Sequence, residues 1–385
     1  IQFTPDLMPS DIIGTEILEE DGESRYDALG TGASEGVAKA VLLAPLPYRD
    51  DDRLVLVRAE QDFDGVVVIR RGPTTLFESA TGLASRRWRV PNTLDTRFDT
   101  ASVTALLTTL AVLRLADRDE LDLELPIRHW VEDDLAGTAI DPRVTLLHLL
   151  TQTSGIADAI DGEAGEDAEA LFHDVPSYRI LTPRDQLRFF AHKPPLAEPG
   201  TECRACDAGF VLAGLVLEAA TGRSFRDVVV DEVLQPAGML DSGWYDRRDD
   251  APRVAEGWDL RDGRWVRSLY ASPPIGDPVA GAHATADDLL RLLAAVREGR
   301  LLGADLTEDV LTPQVEHPDG EWYGLGLVFD VREDGSVRSW YRDGESPGAS
   351  GILRHYVDED VDVVVLSNTQ EGAWPIIQDI DARFA

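Results

Sequence analysis

Lysine is almost missing from this chain: Lys39 and Lys193 are the two present, and the rest of the 36 basic residues are arginine. Against them stand 71 acidic residues, giving a formal charge of −35. Such a surface repels nucleic acid and anionic membrane, which excludes both as partners. At low ionic strength this much like charge also works against the compact state. With 28% charged residues and so little lysine, the balance predicts adaptation to concentrated salt rather than solubility alone. Cysteine is scarce too. Cys203 and Cys206 exclude a disulfide framework. Their C-x-x-C spacing also suits redox chemistry or half of a zinc site, but no second pair completes a metal site and no βαβ pattern surrounds them. Two small buried thiols is the expectation, with no metal and no cofactor. No apolar run approaches the ~20 residues of a membrane-spanning helix. No basic start followed by an apolar segment marks a signal peptide. A soluble protein, cytoplasmic or secreted, is expected, and the oligomeric state is left open.

The 385 residues, 43% of them hydrophobic, are enough for a large core in two domains or in one domain with a big insertion. Residues 1–61 read as an irregular extension, with a short helix over about 50–62. Gly65 to Arg70, a turn at Arg71-Gly72-Pro73, and Thr75 to Ser79 predict a β-hairpin. From Ser102 the apolar spacing becomes helical, through Val103, Leu106, Leu107, Leu110 and Leu113. Helical or loop-rich segments continue to about residue 318. They include 145–151, 182–192 (with Pro183 at the first helical position), 207–221 and 285–298. Strand-like runs return at 324–330, 336–341, 351–357 and 361–367, before a last helix over about 374–384. Strands at both ends around a helical middle predict an α+β fold. Its antiparallel sheet comes from residues 62–82 and 324–368, is flanked by helices, and receives a helical insertion over about 100–318.

Several segments, in order, carry a family resemblance. They include Thr96-Arg-Phe-Asp-Thr-Ala-Ser-Val-Thr104, Leu121-Asp-Leu-Glu-Leu-Pro126 and Val144-Thr-Leu-Leu-His-Leu-Leu-Thr-Gln-Thr-Ser-Gly155. Glu198-Pro-Gly-Thr201, Ala280-Gly-Ala-His-Ala-Thr-Ala-Asp-Asp-Leu289, Ser346-Pro-Gly348 and Val363-Val-Val-Leu-Ser-Asn368 follow. Together they resemble the serine β-lactamase, DD-peptidase and esterase family of class C type, over residues 62 to 385. The resemblance implies a β-lactamase/transpeptidase-like fold and a helix-opening serine, Ser102, that attacks a carbonyl of a small ester or amide.

The family's motifs are altered. Ser-x-x-Lys places an amine one turn from the nucleophile, where it takes the proton; here the lysine position is Ala105. The tyrosine of Tyr-x-Asn falls on Ala205 and the asparagine on Asp207. The strand motif Lys-Thr-Gly or His-x-Gly falls on Arg342-Asp343-Gly344, and a guanidinium is no base at ordinary pH. The resemblance implies an oxyanion hole from the backbone N–H groups of Ser102 and Glu345. Losing both proton-transfer groups predicts impairment by ~10²–10⁴-fold.

Asp207 is the candidate replacement base, since burial raises a carboxyl pKa; as a plain helix N-cap it needs no such role. Arg342 is a candidate clamp for a substrate carboxylate beside Gly344; its plainer reading is a salt bridge to Asp343. His283, in the Ala280–Thr285 loop, is a spare base or a satisfied histidine, and Trp258 a pocket wall or ordinary packing. Ser102 itself suits a helix N-cap. His148 sits at a structural family position. The leading expectation is thus a serine acyl-transfer hydrolase with altered proton-transfer partners. One rival is an inactive homologue that binds a carboxylate-bearing ligand through Arg342. Another is an enzyme disabled on purpose at Ala105 and Ala205, against which Cys206, Asp207 and Arg342 argue as changes that disabling does not need. A redox or metal protein centred on Cys203 and Cys206 is the remaining class.

Overall fold

The computed structural model describes residues 63–160 and 171–384, together with the backbone of four short strands before them. Within residues 1–38, Glu16–Leu18 pairs antiparallel with Ser24–Tyr26. In the remainder, Ala40–Leu42 pairs with Leu56–Arg58. The short helix expected over 50–62 is therefore corrected at 56–58, where the chain is extended. The rest of that interval lies outside the described residues, as does most of the expected extension.

One antiparallel sheet of eight strands organises the molecule, in the order β3-β4-β5-β6-β7-β8-β1-β2. Strands β1 (Gly65–Arg71) and β2 (Thr74–Thr81) come from the near end of the chain. From the far end come β3 (Val315–Glu316), β4 (Trp322–Tyr323), β5 (Val328–Val331), β6 (Val337–Ser346), β7 (Ala349–Tyr356) and β8 (Val361–Ser367). The strand expected from Gly324 begins only at Val328, because Gly326 takes φ +78° and turns the chain. Strand β8 is buried along its whole length, as a central strand covered on both faces must be. Side chains alternate between two cores. Val66, Val68, Val364 and Leu366 face the main helical core, while Val67, Ile69, Val363 and Val365 face the C-terminal helix Ala373–Phe384.

The inserted region supplies helices α1 (Thr104–Ala116), α2 (Pro183–Phe190), α3 (Asp207–Thr221) and α4 (Ala286–Arg297), among shorter ones. Helix α1 is enclosed almost all round. Leu106, Leu107, Leu110 and Leu113 are at most 1% exposed, and each contributes about 1.5–3 kcal/mol relative to exposure. Helix α2 starts as its sequence dictates: Thr182 and Asp185 form a reciprocal cap and Pro183 opens the helix. The insertion also contains a hairpin that the sequence reading passed over, Trp258–Arg261 with Arg264–Arg267. Its turn, Asp262-Gly263, has φ +50° and +72°, the conformation that an Asp-Gly pair favours between two strands.

Candidate functional site

The site begins where the chain enters α1. A 3₁₀ turn, Ala101–Val103, carries Ser102 ahead of the helix. Ala101 adopts φ +45°, uncommon for a residue with a Cβ, and its amide is held by Asp99 Oδ1 at 2.9 Å. Asp99 is itself paired with Arg247. Threonines tie the turn to the segment around residue 280. Thr100 Oγ1 donates to Ala282 O at 2.9 Å, Ala282 N donates to Thr104 Oγ1 at 3.1 Å, and Thr108 Oγ1 donates to Pro278 O at 2.7 Å. Ser102 caps nothing. Among the described residues, no side chain hydrogen-bonds its hydroxyl.

Strand β6 closes the turn from the other side. Beyond Tyr341 it has no strand partner on the edge that pairs with β5, and the Ser102 turn packs there instead. The contact requires glycine at 344, since a Cβ would fall onto the backbone nitrogens of Ser102 and Val103. Glu345 follows at the cavity rim, where Gln370 Nε2 (2.8 Å) and Trp374 Nε1 (2.6 Å) donate to its carboxylate.

Ser102, Asp207 and Glu345 line one cavity of about 200 Å³. The N-terminus of α3 delivers Asp207, but Asp207 does not cap that helix. Asp158, 49 residues earlier, does so: its carboxylate accepts the amides of Asp207 at 2.6 Å and Ala208 at 3.2 Å, the favourable place for negative charge on a helix. Cys206 Sγ reaches Ile156 O at 3.5 Å, and the Cys206 amide donates to Gln152 Oε1 at 2.6 Å. Both cysteines are free and buried, and burial pushes the Cys203 thiol up to about 11.

Three carboxyls in this cavity are perturbed upward. Burial and the neighbouring Asp207 charge push Asp158 to about 7, against the pull of three backbone amides. Asp207 opens to water at the cavity yet is deeply set in the fold. Burial raises its pKa, the Arg342 guanidinium opposes the rise, and Asp277 adds to it. Asp277 is raised by burial against the amides of Ala280 and Val279. Gly214 of α3 admits Pro278, which seats this loop: a Cβ there would strike the proline ring.

The remaining expected residues are placed elsewhere. Arg342 is 8% exposed, sits behind Ser102 with Nε donating to Ser102 O at 3.1 Å, and lies over the Phe210 ring at 5.2 Å. It is not among the residues that line the cavity, where a substrate clamp would stand, nor does it pair with Asp343. His283 belongs to a two-residue strand paired with Phe98–Asp99 and lines a second cavity of about 410 Å³ with Asp99 and Arg247. It is buried, its Nδ1 lacks a partner, and burial pushes its pKa down to about 4. His283 thus lines a different cavity from Ser102. Trp258 is buried packing, its amide bonded to Asn368 O at 3.0 Å. Ala105 is fully enclosed and Ala205 exposed. His148 closes a reciprocal cap with Thr145. The sequence reading missed Asp158 and Asp277. The signal available was an acid within the apolar run Ile156 to Ile160, and another in the turn Gly276-Asp277-Pro278. Among the described residues no cluster of His, Cys, Asp and Glu is arranged to hold a metal, and no single helix is long and apolar enough to cross a membrane.

Several known proteins resemble this chain. The sequence model of the Beta-lactamase family matches residues 52–384. Esterase EstB of Burkholderia gladioli is 29% identical over 371 residues, covering 86% of this chain and 94% of the esterase. Penicillin-binding protein 4* of Bacillus subtilis (strain 168) is 25% identical over 333 residues, covering 81% and 69% respectively. The crystal structure of a penicillin-binding protein from Bacillus halodurans superposes with a TM-score of 0.79 at 34% identity, over 83% of this chain and 97% of that one.

Proposed function

The chain belongs to the beta-lactamase family of serine hydrolases, and from that premise we propose that it cleaves a small ester or amide through Ser102 with Asp207 as the proton acceptor. The observation that carries this reading is that Ser102 and Asp207 line one cavity, with β6 pressed against the Ser102 backbone by Gly344. The similarity to an esterase supports an ester as one substrate class.

In this mechanism Ser102 Oγ attacks the carbonyl carbon and its proton passes to the Asp207 carboxylate. The backbone N–H groups of Ser102 and Glu345 hold the oxyanion. Collapse breaks the C–O or C–N bond, and the leaving group takes the proton back from Asp207. Water then attacks the acyl-enzyme, Asp207 again takes a proton, and the acid departs as Ser102 is reprotonated. A carboxylate of ordinary pKa is a poor base for a hydroxyl. The raised pKa of Asp207 brings it nearer the operating pH, where general-base catalysis is most effective. Arg342, bonded to the Ser102 carbonyl, is a positioning residue whose charge keeps Asp207 from being neutral throughout.

The test is labelling with a serine-reactive phosphonate, located by peptide mass spectrometry, alongside hydrolysis of an activated ester. The expected adduct is on Ser102. Asp207→Asn should slow both labelling and hydrolysis by ~10²–10⁴-fold. Absence of the adduct, or hydrolysis that survives Ser102→Ala, would overturn the proposal.

A further inference from the structure

The cavity that His283 lines takes no part in the proton transfers at Ser102. At about 410 Å³ it is larger than the Ser102 cavity of about 200 Å³, and it falls within the roughly 300–1,000 Å³ usual for ligand pockets. Its charges are already matched. Four arginines line it, and each is ion-paired: Arg247 with Asp99, Arg248 with Asp246, and both Arg87 and Arg267 with Glu256. No guanidinium is left as the counter-charge of an anionic ligand, and the inner carboxylates of Asp99 and Glu256 are equally engaged against a cation.

What is unmatched there is neutral. His283 is 2% exposed and its Nδ1 has no hydrogen-bond partner. Burial keeps the ring neutral and its other nitrogen turns a proton to the Gly281 carbonyl, so Nδ1 is a bare acceptor. Ser268 is 7% exposed, and its hydroxyl bonds to no described residue. Two glycines leave that hydroxyl its room, since a Cβ at Gly257 or Gly348 would stand 2.4 or 2.2 Å from Ser268 Oγ. The Tyr245 ring packs edge-on to His283 at 5.8 Å, and its hydroxyl is likewise without a partner among the described residues. Buried polar side chains are rarely left so in a folded protein.

A ligand that satisfies this wall donates to His283 Nδ1, accepts from the guanidinium N–H groups that the carboxylates leave over, and carries no charge. The hydroxyl is the neutral group that does both. Trp88 and Tyr270, 75% and 69% exposed, add flat apolar faces to the lining, which suit the C–H face of a ring whose edge is polar.

We propose that this cavity binds a neutral saccharide, its hydroxyls meeting His283, Ser268 and Tyr245 and its C–H face lying on Trp88 or Tyr270. The site stands apart from the reading of Ser102 as nucleophile and does not depend on it.

The test places the unmodified full chain on an array of neutral gluco-, xylo- and galacto-oligosaccharides beside sulfated ones, and measures the strongest binder by calorimetry. A neutral oligosaccharide should bind, and Ser102→Ala should bind it equally. Tyr245→Phe with Ser268→Ala removes two hydroxyls that no protein group uses. The thermal midpoint of that double variant should stay nearly unchanged while Kd rises about tenfold or more. If the midpoint falls, Tyr245→Phe alone is measured, with a rise of about threefold expected. Four results would overturn the proposal: no binding of any neutral oligosaccharide, a preference for the sulfated ones, a Kd that the variants leave unmoved, or loss of binding in Ser102→Ala.

Discussion

Replacing Asp158 by asparagine isolates the crowding of acids in the cavity. The carboxyl titrates at about 7 in the folded protein against an ordinary 3.8, so the folded state binds a proton more tightly than the unfolded chain does. Stability from this group is therefore fully present below pH 3.8 and is lost as pH rises through about 7. At 1.36 kcal/mol per pH unit the loss reaches about 4 kcal/mol, and partial access to water through the cavity brings it nearer ~2–3 kcal/mol. Asparagine keeps an acceptor oxygen for the α3 amides but carries no charge. It loses one acceptor oxygen and with it one hydrogen bond, about 1 kcal/mol. At pH 8, Asp158→Asn should thus be more stable than its parent by ~1–2 kcal/mol, and at pH 3, below the unfolded pKa, less stable by about 1 kcal/mol. Urea unfolding followed by tryptophan fluorescence, at constant ionic strength, reads both values. Urea is preferable because guanidinium chloride would screen the charges. A variant destabilised equally at both pH values would refute the reasoning. It would mean that the three amides on this carboxylate outweigh burial and Asp207, holding it ionised throughout.

Other perturbations bear on the remaining contacts. Gly344→Ala forces a Cβ into the Ser102 backbone; it should cost ~1–3 kcal/mol in urea unfolding and remove ester hydrolysis. Arg342→Met removes the charge that opposes the rise in Asp207's pKa, so the rising limb of the pH–rate profile should move to higher pH; an unmoved limb would show that Asp207 is not the titrating base. The net charge of −35 is screened over ~10 Å at 0.1 M salt and ~3 Å at 1 M. The thermal midpoint should therefore rise clearly with sodium chloride, and a flat response would show that the acidity does not strain the fold.

The fold was largely legible because its determinants are local or periodic. Residues 207–221 carry a continuous apolar helical pattern, Thr182-Pro183 announces a helix start, and 361–367 is a buried apolar run that closes the sheet. The Asp262-Gly263 hairpin was equally local and should have been read from its turn pair. The composition of the cavity was not legible in the same way. Asp158, Asp207 and Asp277 are separated by 49 and 70 residues of chain, and only the packing of Pro278 against Gly214 and of Asp158 against the α3 amides brings them together. Motif alignment fixes which residue occupies a position but says nothing about the direction its side chain takes. Arg342 illustrates the difference: its place on β6 was read correctly, and its guanidinium turns to the Ser102 carbonyl and Phe210 rather than to the cavity.

The four altered motif positions make sense as one set when direction is included. An enclosed alanine at 105 leaves no amine beside Ser102, and an exposed alanine at 205 leaves no phenol over it. The cation that remains, Arg342, lies behind the serine, where it cannot neutralise a substrate carboxylate but does bias Asp207 toward its ionised form. Proton transfer on this reading moves to the N-terminus of α3. There the helix dipole and Arg342 favour the charged carboxylate, while burial and the neighbouring Asp277 favour the neutral one. A base poised between those influences can both take a proton from Ser102 and return it to a leaving group. A lysine at 105 cannot simply be added back. Its side chain would have to enter a space already filled, at a cost of ~1–3 kcal/mol, and its charge would pull the Asp207 pKa down. Ala105→Lys should therefore lower ester hydrolysis unless Ala205→Tyr accompanies it. A single change that restored brisk turnover would show that Asp207 had never taken over the proton.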